Sequence, residues 1–195
     1  MEPVLTEIQE AFSGKWLKIL KLQYRDNSGV SRTWEAVKRV SSNGAAVILA
    51  KFRKSGEIIL VRQYRPPADR FVIEFPAGLI DDGETPQMTA ERELKEETGY
   101  TGTVISVTEP AYSSPGMTPE TVSFVQMTID ESAPENRNPK TNFDEGEFIE
   151  IFKVKPEDLH KFIAERIKSG DGLDIKLQMF AESQQFFLSD CTRSL

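Results

Sequence analysis

Polar and apolar side chains interleave along KWLKILKLQY (15–24), and SRTWEAVKRV (31–40) repeats the pattern after the turn-forming DNSG at 26–29. A period of two places successive side chains on opposite faces of an extended chain, so the two runs predict the strands of a β-hairpin. SSNG at 41–44 interrupts the pattern and predicts a boundary, with a hairpin arm over 1–44 and a main domain over 45–195. In the main domain AAVILAKF (45–52) reads as a buried strand, RKSGE (53–57) as a turn and IILVRQY (58–64) as its partner. FVIEF (71–75), TVISVTEPAY (103–112), TVSFVQMTI (121–129) and EFIEIFKV (147–154) read as further strands.

Three helices interrupt these strands. Thr85 is a good N-cap and Pro86 suits the first helical position, so a helix is expected to run to about Thr98 and stop at Gly99. Two more are expected, over PEDLHKFIAERIKSG (156–170) and roughly 174–188. The polar stretch 130–146 reads as a long loop, and loops of that length often carry function. No internal repeat or low-complexity tract is evident. The mixture of hairpins and helices predicts an α/β domain with a mixed sheet.

Charge and composition narrow the chemistry. Hydrophobic residues make up 38% of the 195 positions and charged residues 28%, which suits a folded domain. The net charge of −7 disfavours partnership with nucleic-acid polymers or anionic membranes. A small polyanionic substrate then needs local cations or bound metal. The single cysteine, Cys191, excludes an intramolecular disulfide and a Cys-rich zinc site, and is expected to have no role. The single histidine, His160, falls in an amphipathic helical pattern, which favours a helix position over catalysis. Any metal site must therefore use oxygen ligands. The segment MEPVLTEIQEAFSGKW lacks an apolar run long enough for a signal peptide or membrane helix, so a soluble, intracellular protein is expected.

The acidic segment 75–100 is the strongest chemical signal. It sets Asp81 beside Asp82 and Glu96 beside Glu97. At ~100° per residue, Glu93 and Glu97 lie about 40° apart on one helix face, with Glu96 about 60° to the other side of Glu93. Ala90 and Leu94 flank this sector and suit packing against a sheet, while Arg92 stands four residues before Glu96 and can steady it. A solvated charged face is the ordinary explanation for such a run. Against it, like charges at i, i+4 repel, and carboxylates near a helix C-terminus oppose the macrodipole. A divalent cation resolves both conflicts. Mg²⁺ prefers oxygen ligands and keeps waters for substrate phosphates.

The spacing Gly78, five residues, Glu84, seven residues, then Arg92-Glu93-Leu94-Lys95-Glu96-Glu97-Thr98-Gly99-Tyr100 resembles the Nudix box, G-x5-E-x7-R-E-U-x-E-E-x-G-U, at every fixed position. It falls on the predicted strand, loop and capped helix. The resemblance implies a Nudix α/β/α sandwich and hydrolysis of a nucleoside diphosphate linked to another group. It implies Mg²⁺ or Mn²⁺, two or three ions per site, on Glu93 and Glu97, with Glu96 and the Ala77 carbonyl as further ligands. It makes Glu84 a loop anchor and Arg92 a partner of carboxylates.

Pro115, fifteen residues after Tyr100, resembles the mark of ADP-ribose pyrophosphatases, and the segments GKWLKILKLQYRDNSGVSRTWEAVKR, VRQYRPP and IEFPAGLIDDGETP, with the box, are similar to the animal ADP-sugar pyrophosphatases over roughly residues 14–152. That similarity implies a homodimer with exchanged N-terminal strands, in which adenine stacks between Trp16 of one subunit and Trp34 of the other. It implies that Glu35 and Arg39 reach the adenine and nearby groups, that Arg65 grips phosphate, and that Glu74 stands beside the metal site. Gly78 and Leu79 join the substrate-binding set. Catalysis is expected from Glu93, Glu97 and a general base at Glu147, with Glu145 as the alternative. The run Asp144-Glu145-Gly146-Glu147 lacks the first glycine of the family's usual Gly-acidic-Gly-Glu. The expected reaction is hydrolysis of ADP-ribose and related ADP-sugars to AMP and sugar phosphate, in the cytoplasm or also the nucleus. Hydrolysis of oxidised nucleoside diphosphates such as 8-oxo-dGDP, and a non-catalytic ADP-ribose-binding module, stand as alternatives.

Overall fold

In a computed structural model of the protein, which describes residues 1–41, 44–143, 146 and 148–191, the chain opens with a separate antiparallel sheet. The predicted hairpin is present as β2 (Leu17–Arg25) and β3 (Ser31–Arg39). A further strand, β1 (Val4–Ser13), extends it to the order β1-β2-β3. Period-two reading misses β1 because its pairing with β2 shifts register between Leu5 and Glu7 and again between Glu10 and Phe12. Each bulge resets which side chains share a face, so Leu5 and Ile8, three residues apart, oppose Tyr24 and Leu22 on one side.

The main body contains β4 (Ala45–Phe52), β5 (Ile58–Arg65), β6 (Arg70–Glu74), β7 (Ala77–Leu79), α1 (Pro86–Thr98), β8 (Thr103–Val107), β9 (Ala111–Tyr112), β10 (Thr121–Ile129), β11 (Ile149–Val154), α2 (Leu159–Lys168), β12 (Gly172–Leu173) and α3 (Ile175–Cys191). The sheet runs β12-β6-β5-β4-β10-β8, with β11 paired to β5, β7 to β4 and β9 to β10. The pairs β4–β10 and β6–β12 are parallel and the others antiparallel, so the sheet is mixed. The strand expected over 103–112 is divided into β8 and β9. Strands β7 and β12, three and two residues long, are too short to leave an alternating pattern.

Alternation in the central strands sorts the core onto two faces. Ala46, Ile48, Ala50 and Phe52 pack with Ala90 and Leu94 of α1, and with Val125, Met127 and Ile129 of β10. Val47, Ile58, Leu60 and Ile73 face the other way, against Leu159 and Ile163 of α2 and Leu177 and Ala181 of α3. This is the expected helix–sheet–helix layering. His160 sits in α2 with Nε2 3.0 Å from the Ala181 carbonyl, tying α2 to α3 as a structural histidine. Among the described residues no helix is long and apolar enough to cross a membrane.

The ends of α1 follow the local code. The Thr85 hydroxyl accepts from the Met88 amide at 3.3 Å. Gly99 adopts φ 74° and its amide donates to the Lys95 carbonyl at 2.9 Å. A side chain at Gly99 would also strike the Lys140 backbone, the nearest atom lying 2.6 Å from an ideal Cβ. Glycine is thus required twice over, by conformation and by space.

Candidate active site

Helix α1 presents its carboxylates to the strand β7, which pairs with the first residues of β4. The organiser is Arg92. Its Nε and Nη2 donate to the two oxygens of Glu84 at 2.9 and 2.8 Å, a forked pair, and Nη2 also reaches the Leu79 carbonyl at 3.3 Å. Its Nη1 lies 2.6 Å from Glu93 Oε1 and 3.2 Å from Glu96 Oε2. Glu84 also accepts from the Thr89 hydroxyl at 2.7 Å and the Asp81 amide at 3.4 Å, so it anchors the 79–84 loop to the helix.

The Arg92 guanidinium, then the Thr89 hydroxyl, hold the Glu84 carboxyl at a pKa of about 2, against an ordinary 4.5. Glu84 in turn raises the pKa of Arg92. A depressed carboxyl pKa stabilises the fold in full above its unfolded value, and that contribution is lost as pH falls through the folded value. Stability from Glu84 should therefore decline from pH 4.5 towards 2. Urea unfolding at pH 7 and pH 3 should find Glu84→Gln less stable at neutrality and less sensitive to acid than the parent. Equal acid sensitivity in both proteins would remove Glu84 as an acid-labile anchor.

A cavity of about 890 Å³ opens between α1, β7, the start of β4, the turn after β5 and the β12–α3 corner. Of the residues singled out from sequence, Arg39, Arg65, Glu74, Ala77, Gly78, Leu79, Glu93, Glu96 and Glu97 all line it. Glu97 is only 5% exposed and accepts from the Ala77 amide at 3.3 Å. Glu74, 7% exposed, is paired with Arg65 through Nε at 2.8 Å. Arg39 is paired with Glu120 through Nε at 2.5 Å. Gly78 has a steric duty: an ideal Cβ there would lie 1.9 Å from Glu93 Oε1.

Trp16, Trp34 and Glu35 do not line this cavity. They stand on the arm, Trp16 70% and Trp34 49% exposed. The Trp34 indole N–H donates to the Gly116 carbonyl at 2.9 Å and the Val37 amide to the Met117 carbonyl at 2.9 Å, so the Pro115 turn couples arm to body. Glu145 and Glu147 lie outside the described residues. Sequence reasoning missed Glu120, Asn142, Asp174 and Lys176, which also line the cavity. The Asn142 amide donates to the Glu96 carbonyl at 2.9 Å, which brings the long polar loop to the end of α1.

The donor set suits a hard divalent cation. Among the described residues only oxygens are offered, and the cavity wall carries seven carboxylates against four cationic side chains. Among the described residues, however, no three His, Cys, Asp or Glu side chains already converge as a metal cluster. Arg92 Nη1 bridges Glu93 and Glu96, and Glu97 turns towards the Ala77 amide. The carboxylates share the cavity as the helical spacing requires, with the guanidinium between two of them.

Comparison with known proteins agrees with this architecture. The NUDIX domain family matches residues 42–171, and the chain belongs to the Nudix hydrolases. These enzymes are typically dependent on divalent metal. The ADP-ribose pyrophosphatase of Saccharomyces cerevisiae is 39% identical over 186 residues, covering 90% of this chain and 79% of the relative. The ADP-sugar pyrophosphatase of Mus musculus is 39% identical over 153 residues, covering 75% of this chain and 70% of the relative. A crystal structure of an ADP compounds hydrolase shares the fold, with a TM-score of 0.64 at 20% identity over 83% of this chain and 84% of that one.

Proposed function

We propose that this protein hydrolyses ADP-ribose and related ADP-sugars to AMP and the sugar phosphate, ribose 5-phosphate in the first case. The observation that carries the reading is the convergence in one cavity of Arg39, Arg65, Glu74, Ala77 and the Glu93–Glu97 face, which are scattered over nearly sixty positions of sequence. The names of the yeast and mouse relatives supply the adenylate and the sugar.

Glu93, Glu96, Glu97 and the Ala77 carbonyl would hold Mg²⁺ or Mn²⁺, two or three ions per site. Such ions, when bound, neutralise a diphosphate and lower the pKa of attacking water. Among the described residues the wall's excess of three carboxylates over cations repels a diphosphate in their absence, which makes binding itself dependent on them. Arg65 offers a guanidinium to the phosphate oxygens once its hold on Glu74 loosens. Arg92 keeps Glu84 and steadies Glu93 and Glu96. Glu147, with Glu145 as the alternative, is the proposed base that takes the proton from water.

The arm, residues 1–44, is proposed as a unit distinct from the hydrolase domain, 45–195. Its separate sheet supports that division, as does a family match that starts at residue 42. Exposed Trp16 and Trp34 suit stacking on adenine in a homodimer with exchanged arms, where a flat indole is worth ~1–3 kcal/mol per base. A cytoplasmic or nuclear location fits this substrate class.

Incubation of the protein with ADP-ribose and Mg²⁺ is expected to release AMP and ribose 5-phosphate in equal amounts, and EDTA to abolish the release. AMP release that persists in EDTA, or none with Mg²⁺ or Mn²⁺, overturns the reading. Light scattering should give twice the 22.0 kDa chain mass, and a single-chain mass would sink the shared-adenine arrangement.

A further inference from the structure

The cavity follows the order of the strands. At one side stand Glu120 and Val122 of the β10 end, with Arg39 of the arm paired to Glu120. Next come Ala45 and Val47 of β4, then Arg65 at the end of β5 and Glu74 of β6. At the far side stand Asp174 and Lys176, where β12 meets α3. Strand β7 stands beside the start of β4, which meets β5 only at the Lys51–Ile58 pair, so the two sides lie several strand widths apart. The arm, proposed to hold adenine, lies at the β10 side, and the proposed metal ligands lie between. The far side is left for whatever hangs from the distal phosphate.

That corner is firmly placed. Leu173 pairs with Ile73 in parallel register, and the Asp174 amide donates to the Ile73 carbonyl at 3.0 Å. The Asp174 carboxylate accepts from the Lys176 amide at 2.8 Å and from Lys176 Nζ at 2.7 Å. The pair is partly covered, with side-chain exposures of 17% for Asp174 and 31% for Lys176. It carries no net charge and presents both an acceptor and a donor. A terminal phosphate would set its charge against the Asp174 carboxylate. A sugar hydroxyl, which donates and accepts, matches both partners.

We propose that Asp174 and Lys176 form the subsite that reads the hydroxyl groups of the sugar beyond the diphosphate. This rests on the reading of the protein as an ADP-sugar hydrolase. The pair determines specificity and takes no part in the chemical step. Lys176 is the member to change first, because Asp174 also holds the first turn of α3 through the Lys176 amide.

Kinetics on ADP-ribose, ADP-glucose and the methyl ester of ADP, which has the diphosphate but no distal sugar, test this directly. For Lys176→Met the ratio of kcat/KM on ADP-ribose to that on the methyl ester should fall about tenfold, through KM. Lys176→Arg, which keeps a donor and the charge, should retain most of the ratio. An unchanged ratio, or the same loss on all three compounds, overturns the subsite while leaving the parent activity standing. A wild-type protein that cleaves none of the three overturns the parent reading and the subsite with it.

Discussion

Glu97→Gln is expected to lower turnover of ADP-ribose by about 10³-fold or more, because it removes a charge from the proposed metal site. Folding is spared. Glutamine keeps the oxygen that accepts from the Ala77 amide and has nearly the same volume. It also relieves a buried negative charge in a wall already rich in carboxylates, so the melting temperature should hold or rise. Loss of activity with retained stability separates a functional carboxylate from a structural one. Glu91, exposed and about 160° around the helix from Glu93, is the matched control. Glu91→Gln should leave both turnover and melting unchanged. Retention of more than a tenth of wild-type kcat in Glu97→Gln would dismiss Glu97 as a metal ligand. Glu147→Gln should behave differently from Glu97→Gln, losing kcat without losing metal affinity.

What sequence made legible follows the range of the forces involved. Helix α1 was readable to both ends because Thr85, Pro86 and Gly99 act within one turn. The carboxylate face was readable because helical geometry alone sets Glu93, Glu96 and Glu97 together. Strand β1 was hidden because two bulges break its alternation, and pairing with β2 is what holds it extended. Asp174 and Lys176 enter the cavity only through the parallel pairing of β12 with β6, and Glu120 through that of β10 with β4. No local pattern records such crossings. Arg39, Arg65 and Glu74 are marked in the sequence only by resemblance, and they do line the cavity. The same resemblance implies a place near the nucleotide for Trp16, Trp34 and Glu35, which stand outside the cavity of their own chain. The proposed homodimer with exchanged arms would reconcile the two, by bringing the tryptophans to a site shared between chains.

Gly78→Ala is expected to cost activity and almost no stability. The new methyl would sit 1.9 Å from Glu93 Oε1, 2.1 Å from its Cδ and 2.4 Å from its Cγ. All three atoms belong to one flexible side chain, so the clash is resolved by turning Glu93 about its Cα–Cβ bond, which carries Cγ and the carboxylate away together, rather than by moving backbone. The φ of Gly78 lies outside the left-handed region, so alanine meets no conformational penalty there. The melting temperature should stay within about 3 °C of the parent. Displacement of Glu93 breaks its contact with Arg92 and removes it from the cavity wall, so kcat should fall by roughly one to two orders of magnitude. Gly99→Ala makes the contrast. There φ is 74° and the obstacle is Lys140 backbone, so that substitution should cost about 1–3 kcal/mol of stability. If Gly78→Ala melted as early as Gly99→Ala, or kept full activity, the small residue at 78 would not be there to make room for Glu93.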